Sequence, residues 1–230
     1  MIPFAKILKY GNTVIPIDPN ILLDIDFSKQ DLGDNRVLDL SSYKNTFGVS
    51  SGFSTGTLVY DSVLNSNVLS FTGAQQYFCS NNLKLNEIDF DLEITYKSTF
   101  NGSARTCTGT GMWGNTTRNP GCCWVVNNVG TGDNGCYMWF DRGQTTGTQF
   151  LRAAQPAPAY VAGSWETVKV SVNRTTGVVV YRNKTNTSLS YQYYAFGAGI
   201  GYYVGSVPGH TPTIAFQGSI SKIKITKTGG

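Results

Sequence analysis

The chain has 230 residues, of which 14% are charged, against roughly 25% in an average globular protein. Its 18 Lys and Arg against 14 Asp and Glu give a net charge of +4, without the basic stripe that nucleic-acid binders concentrate on one face. No run approaches the ~18 apolar residues of a membrane span. Met1–Tyr10 lacks the apolar run and small-residue cleavage site of a secretory signal, so a soluble protein made in a cytosol is expected.

The opening segment, residues 1–20, holds Ile2, Phe4, Ile7, Leu8, Tyr10, Val14, Ile15 and Ile17 among Pro3, Pro16 and Pro19. It is too apolar for a free tail and too rich in proline for a helix. It reads as an extended arm, either an extra edge strand on its own domain or an arm docking on a neighbouring subunit.

From Ile21 onward, short runs of Val, Ile, Tyr, Phe and Thr alternate with Gly, Asn, Asp and Ser, and helical periodicity is missing. In chain order the predicted strands are Ile21–Phe27, Thr57–Tyr60, Asn67–Phe71, Gln76–Cys79, Phe90–Lys97, Thr110–Trp113 and Cys122–Val126. They continue with Gly135–Phe140, Gln149–Arg152, Glu166–Asn173, Val178–Tyr181, Leu189–Tyr191, Gly199–Val204 and Ile214–Thr226. So many strands exceed one open twisted sheet, and an all-β, two-sheet antiparallel sandwich over residues 21–230 is expected. Ile220 is out of phase with Ile223 and Ile225, which predicts a β-bulge near Ser221 and Lys222.

The stretch Phe100–Gly147 holds four of the five cysteines (Cys107, Cys122, Cys123, Cys136) and three of the four tryptophans. With an odd cysteine count, no C-x-x-C pair and His210 as the lone histidine, the cysteines read as reduced core residues rather than a zinc site. No cofactor is expected, with calcium at rim loops through Asp24 or Asp133 left open. A Ser/His/Asp triad would need His210, which sits in a Pro-Gly loop, and no G-x-S-x-G elbow is present. The aromatic and amide side chains Trp113, Asn115, Trp124, Asn127, Asn128, Asp133, Asn134, Tyr202 and Tyr203 are the candidate glycan contacts. A flat ring takes the C–H face of a sugar, and amides take its hydroxyls.

Several segments in this order resemble the concanavalin A-like lectin and glucanase superfamily, the laminin-G-like jelly roll. They are Asp24 to Phe27, Asn67-Val-Leu-Ser-Phe-Thr-Gly73, Asp89 to Tyr96, Trp165 to Val170, Gly177 to Tyr181, Phe216 to Ile220 and Ile223 to Ile225. The resemblance implies a lectin-like fold and admits lectins, glycosidases, adhesion modules and viral structural domains. Sandwich β-glucanases carry Glu-x-Asp-x-Glu on one strand, so that two carboxylates flank the bond to be cleaved. Here Glu87-Ile-Asp89-Phe-Asp91-Leu-Glu93 has Asp91 where the third Glu belongs, and the run reads as the wet face of a half-buried strand. The expectation is a non-enzymatic virion protein, made in the host cytoplasm and assembled with capsid or tail proteins as decoration or tail component. It would be part of a larger assembly and would touch host glycans, without nucleic-acid binding or membrane insertion. The alternative is a free-standing carbohydrate-binding module.

Overall fold

Strict alternation builds the centre of the molecule. In Phe90–Ser98, Phe90, Leu92, Ile94 and Tyr96 are buried while Asp91, Glu93, Thr95 and Lys97 are only partly covered, as a period of two requires. The computed structural model describes residues 7–10, 13–16, 18–32, 35–100, 105–110, 121–126, 136–141, 150–154, 160–174, 178–181, 188–190, 198–206 and 215–229.

The strands in chain order are β1 (Ile7–Tyr10), β2 (Thr13–Pro16), β3 (Ile21–Asp26), β4 (Val37–Leu38), β5 (Thr46–Val49), β6 (Thr57–Asp61), β7 (Ser66–Thr72), β8 (Tyr77–Cys79) and β9 (Phe90–Ser98). Then come β10 (Arg105–Gly109), β11 (Gly121–Val126), β12 (Tyr137–Asp141), β13 (Phe150–Ala154), β14 (Glu166–Asn173), β15 (Val178–Tyr181), β16 (Ser188–Ser190), β17 (Tyr202–Val204) and β18 (Gln217–Lys227). Among the described residues the helical element is a single 3-10 turn, Phe27–Lys29, capped by the Asp26 carboxylate on Ser28 N–H at 3.0 Å.

Two eight-stranded antiparallel sheets form. The first runs β13-β12-β11-β10-β17-β8-β5-β4, and the second runs β16-β15-β14-β9-β18-β7-β6 with β3 also on β18. Their inner faces share one core, which includes Leu23, Ile25, Phe47, Phe71, Tyr77, Tyr96, Trp124, Tyr202, Phe216 and Ile223. The expected sandwich is therefore the fold. The bulge stands where the phase of the isoleucines puts it, as a register shift between Ile220 and Lys222 against β9.

The sequence misses β4 and β5, which are short and lie in a run rich in polar residues. Gln30 completes β4 as a substitute strand: its amide donates to Leu38 C=O and accepts from Leu38 N–H, both at 2.9 Å. The strand expected over Thr110–Trp113 is corrected to β10, which begins at a charged residue, Arg105, and ends before Thr110; 111–113 lie outside the described residues. Buried Asp39 fastens this end of the chain, accepting from Asp24 N–H, Ser41 N–H and the Asn45 amide at 2.8, 2.8 and 2.6 Å. Among the described residues β1 and β2 pair only with each other, with Leu8 opposite Ile15.

On the outer side of the second sheet, Lys97 Nζ lies 2.5 Å from the Asp61 carboxylate and 4.8 Å from the Trp165 ring centre. The Lys97 bond holds the Asp61 pKa down, from 3.8 to about 2. A carboxyl depressed in the folded state stabilises above its unfolded value and loses that contribution as pH falls through its folded value. Asp61→Asn should therefore melt a few degrees below the parent at pH 7, and the gap should close as pH falls from about 4 to about 2. Thermal melts over that range measure it.

Candidate functional site

The outer faces of the two sheets are built from opposite chemistry. On the second sheet, register aligns Lys169, Glu93, Lys224 and Asp24 across four strands. Lys169 Nζ meets Glu93 at 2.7 Å, Ser171 Oγ donates to Asp91, and Asp89 accepts from the Asn173 amide at 2.9 Å and Arg174 N–H at 2.7 Å. Glu87 falls in the turn before β9, off the strand that was expected to carry it, because its N–H bonds to Lys84 C=O at 2.8 Å. The acidic run is thus a charge ladder that joins strands. Among the described residues no three His, Cys, Asp or Glu side chains gather to hold a metal; Asp133 and His210 lie outside them.

On the first sheet, register aligns Gly48, Phe78, Tyr203, Gly109, Cys123 and Trp139 across six strands. Beside that row stand Val125 and Tyr137. These outward residues form a second apolar cluster, separate from the core, comprising Cys123, Val125, Tyr137, Trp139 and Tyr203 with Phe78 packed against it. The Phe78 and Tyr203 rings lie 4.7 Å apart and tilted by 35°, and Tyr137 and Trp139 lie 6.3 Å apart. Burial pushes the Tyr203 hydroxyl up to about 12.

Glycine shapes the floor of this face twice. A side chain at Gly109, at positive φ, would strike Cys122 C=O at 2.3 Å, so two rows of strands close up there. At Gly48 a side chain would meet nothing within 4 Å, which leaves open space in the row next to half-buried Phe78. Leu38, 48% exposed, lies on the neighbouring strand opposite Thr46.

The candidate glycan residues are divided by this arrangement. Tyr203 lies on the outer face. Trp124 and Tyr202 turn inward and are core: Trp124 meets Tyr96 edge-on at 6.5 Å and Tyr202 meets Phe47 at 6.2 Å. Strand phase is the reason, since Trp124 is one residue from outward Cys123 and Val125. Trp113, Asn115, Asn127, Asn128, Asp133 and Asn134 lie outside the described residues, in the connections at opposite ends of β11. Phe78 and Trp139 were not singled out from the sequence. The signal available was that both phases of Tyr137–Phe140 are apolar, so both sides of that strand are covered.

Inside the sandwich, the Tyr96 hydroxyl donates to buried Glu166 at 3.1 Å and lies 3.0 Å from Cys136 Sγ. Burial raises the pKa of the Tyr96 hydroxyl and the Cys107 thiol well above their ordinary values, and that of the Cys122 thiol to about 12. All five cysteines are buried thiols. Thiolate is the reactive form, so native protein should leave Ellman's reagent unreacted over an hour, and guanidinium should release five equivalents.

No protein-family model matches the sequence, and no curated protein matches it significantly. Solved structures share the fold. Domain 4 of AbnA, a GH43 extracellular arabinanase from Geobacillus stearothermophilus, in complex with arabinotriose, superposes with a TM-score of 0.65 at 13% identity, over 90% of this chain and 92% of that one. Trypanosoma rangeli sialidase in complex with sialic acid gives 0.57 at 9% identity over 97% of this chain, which covers 33% of the sialidase. The binding domain of Botulinum Neurotoxin DC in complex with SialylT gives 0.55 at 12% identity, over 91% of this chain and 48% of that one.

Proposed function

We propose that the chain is a glycan-binding β-sandwich module that meets sugar on the outer face of its first sheet, with Phe78 as the accessible ring. One observation supports this reading: the apolar row on the outer face of the first sheet is covered at Tyr137, Trp139 and Tyr203, each at most 5% exposed, and opens to solvent at half-buried Phe78. Phe78 is braced by Tyr203, and Gly48 leaves room beside it for a pyranose. Of the other sequence-based candidates, Trp113 and Asn115 belong to the segment before β11 and Asn127, Asn128, Asp133 and Asn134 to the segment after it, so one of these two groups supplies the hydroxyl contacts. Three structures of this fold are complexes with arabinotriose, sialic acid or SialylT, which supports a sugar as ligand. The module binds without cleaving, because its row of carboxylates serves the opposite sheet as a charge ladder. A glycan array identifies the ligand, and Phe78→Ala should weaken it at least ten-fold with circular dichroism unchanged. Equal binding by the variant, or an array without signal, sinks the reading.

The N-terminal hairpin favours a second reading, in which the module is a virion component assembled in a host cytoplasm. An isolated two-stranded hairpin is marginal in water, yet among the described residues β1 and β2 hydrogen-bond to neither large sheet. The arm, with Ile2, Phe4, Ile7, Leu8, Tyr10, Val14, Ile15 and Ile17, docks on a neighbouring capsid or tail protein. Deleting residues 1–20 should leave a folded sandwich that no longer incorporates into particles. Full incorporation of the truncated chain excludes the docking arm.

A further inference from the structure

Arg36 precedes β4 by one residue. Antiparallel pairing sets Val37 opposite Phe47 and Leu38 opposite Thr46, so one more step of that register brings Arg36 level with Gly48. Val37 is buried in the core, and alternation turns Arg36 and Leu38 to the outer side, where both are exposed. Gly48 in turn pairs with Phe78. Arg36 and Phe78 therefore stand on either side of Gly48, about 10 Å apart at two strand spacings of ~4.8 Å. The space between them is open, since a Cβ at Gly48 would meet nothing within 4 Å. The Phe78 ring leans the other way, over Gly201, where a Cβ would stand 2.3 Å from Phe78 Cε2. The backbone on either side of Arg36 is fastened: Asn35 Oδ1 accepts from Thr55 Oγ1 at 3.3 Å, and Gln30 holds Leu38 at both its N–H and its C=O.

We propose that this saddle selects an acidic sugar, with the pyranose ring above Gly48, its apolar face toward Phe78 and its carboxylate on Arg36. The floor carries no side chain, so a ring comes down on it from solvent without striking one. One wall is aromatic and takes C–H groups. The other is an exposed guanidinium, whose planar fork fits a carboxylate through parallel N–H bonds. With five N–H donors, a guanidinium binds a carboxylate while also serving a neighbour in the protein. A neutral sugar would use the aromatic wall alone. The choice of a sugar rests on the glycan-binding reading; the demand for negative charge rests on Arg36.

The test is an array of hexuronosides and sialosides printed beside the same glycans with the carboxyl reduced to hydroxymethyl, probed with full-length protein. The parent should bind the acidic member of a pair at least ten-fold more strongly, and salt should narrow the gap. Arg36→Gln should bring the two members within about two-fold of each other with circular dichroism unchanged. Arg36→Lys should restore part of the preference, because an ammonium keeps the charge but loses the planar fork. Gly48 lies in ordinary strand backbone with room for a side chain, and a β-branched residue suits a strand. Gly48→Val should therefore melt at or above the parent temperature while weakening the acidic glycan at least ten-fold, because it fills the saddle. If Arg36→Gln keeps the preference, if the parent shows none, or if Gly48→Val binds like the parent, the acidic-sugar inference falls, and the glycan-binding reading stands as long as array binding still needs Phe78. An array silent for acidic and neutral glycans alike removes the glycan-binding reading and this inference with it.

Discussion

The structure depends on one eleven-residue strand keeping an apolar face on the core while it changes neighbours. Gln217–Lys227 pairs with β9 along its length, but on its other edge it meets β7 first and β3 afterwards. A regular strand would carry Ile220 to one side and Ile223 and Ile225 to the other. The extra residue at Ser221 restores the phase, and all three isoleucines are buried. Gly218 completes the device at the other end: it sits at positive φ, and a side chain there would stand 2.0 Å from Lys97 C=O. With this strand in place the second sheet has its centre, and the first sheet has a surface to pack on.

That packing leaves two outer faces with different fates. The second sheet turns Asp, Glu, Lys and Thr outward, and its charges are spent on one another across strands, as in the bond from Lys169 to Glu93 and the hydroxyl pair Thr95 and Thr167 at 2.9 Å. Such cross-strand pairs each contribute modestly and chiefly fix register. The first sheet turns aromatic rings outward, where Tyr137, Trp139 and Tyr203 are covered in turn and Phe78 is half-exposed. The placement of apolar area, more than any single titrating group, separates the two outer faces.

The same division explains why the carboxylates are poor evidence of catalysis. General acid and nucleophile roles need two carboxyls converging on one bond. Here Asp89, Asp91 and Glu93 are drawn sideways to Asn173, Ser171 and Lys169 on β14, and Glu87 leaves the strand altogether. Inside the sandwich the Tyr160 hydroxyl is committed as well: it joins Ser98 N–H to Ser164 C=O, bonds of 2.6 and 2.9 Å that hold the approach to β14.

The fold class, the strands of the second sheet and the bulge in β18 are legible in the chain before any contact is known. Those features rest on local alternation, and a period of two between apolar and polar residues is visible without knowing any partner. Also legible is the place of the cysteines among the apolar residues, since Cys122 and Cys123 sit in the run Gly121–Val126, which is buried throughout. Which aromatics face the core is set by how the strands pack. In a strand covered on both sides, such as Gly121–Val126 or Tyr137–Asp141, both phases are apolar, and the sequence carries no mark of inside against outside. Trp124 and Tyr202 went in, Tyr203 and Trp139 went out, because β10 and β17 fixed the register of their neighbours.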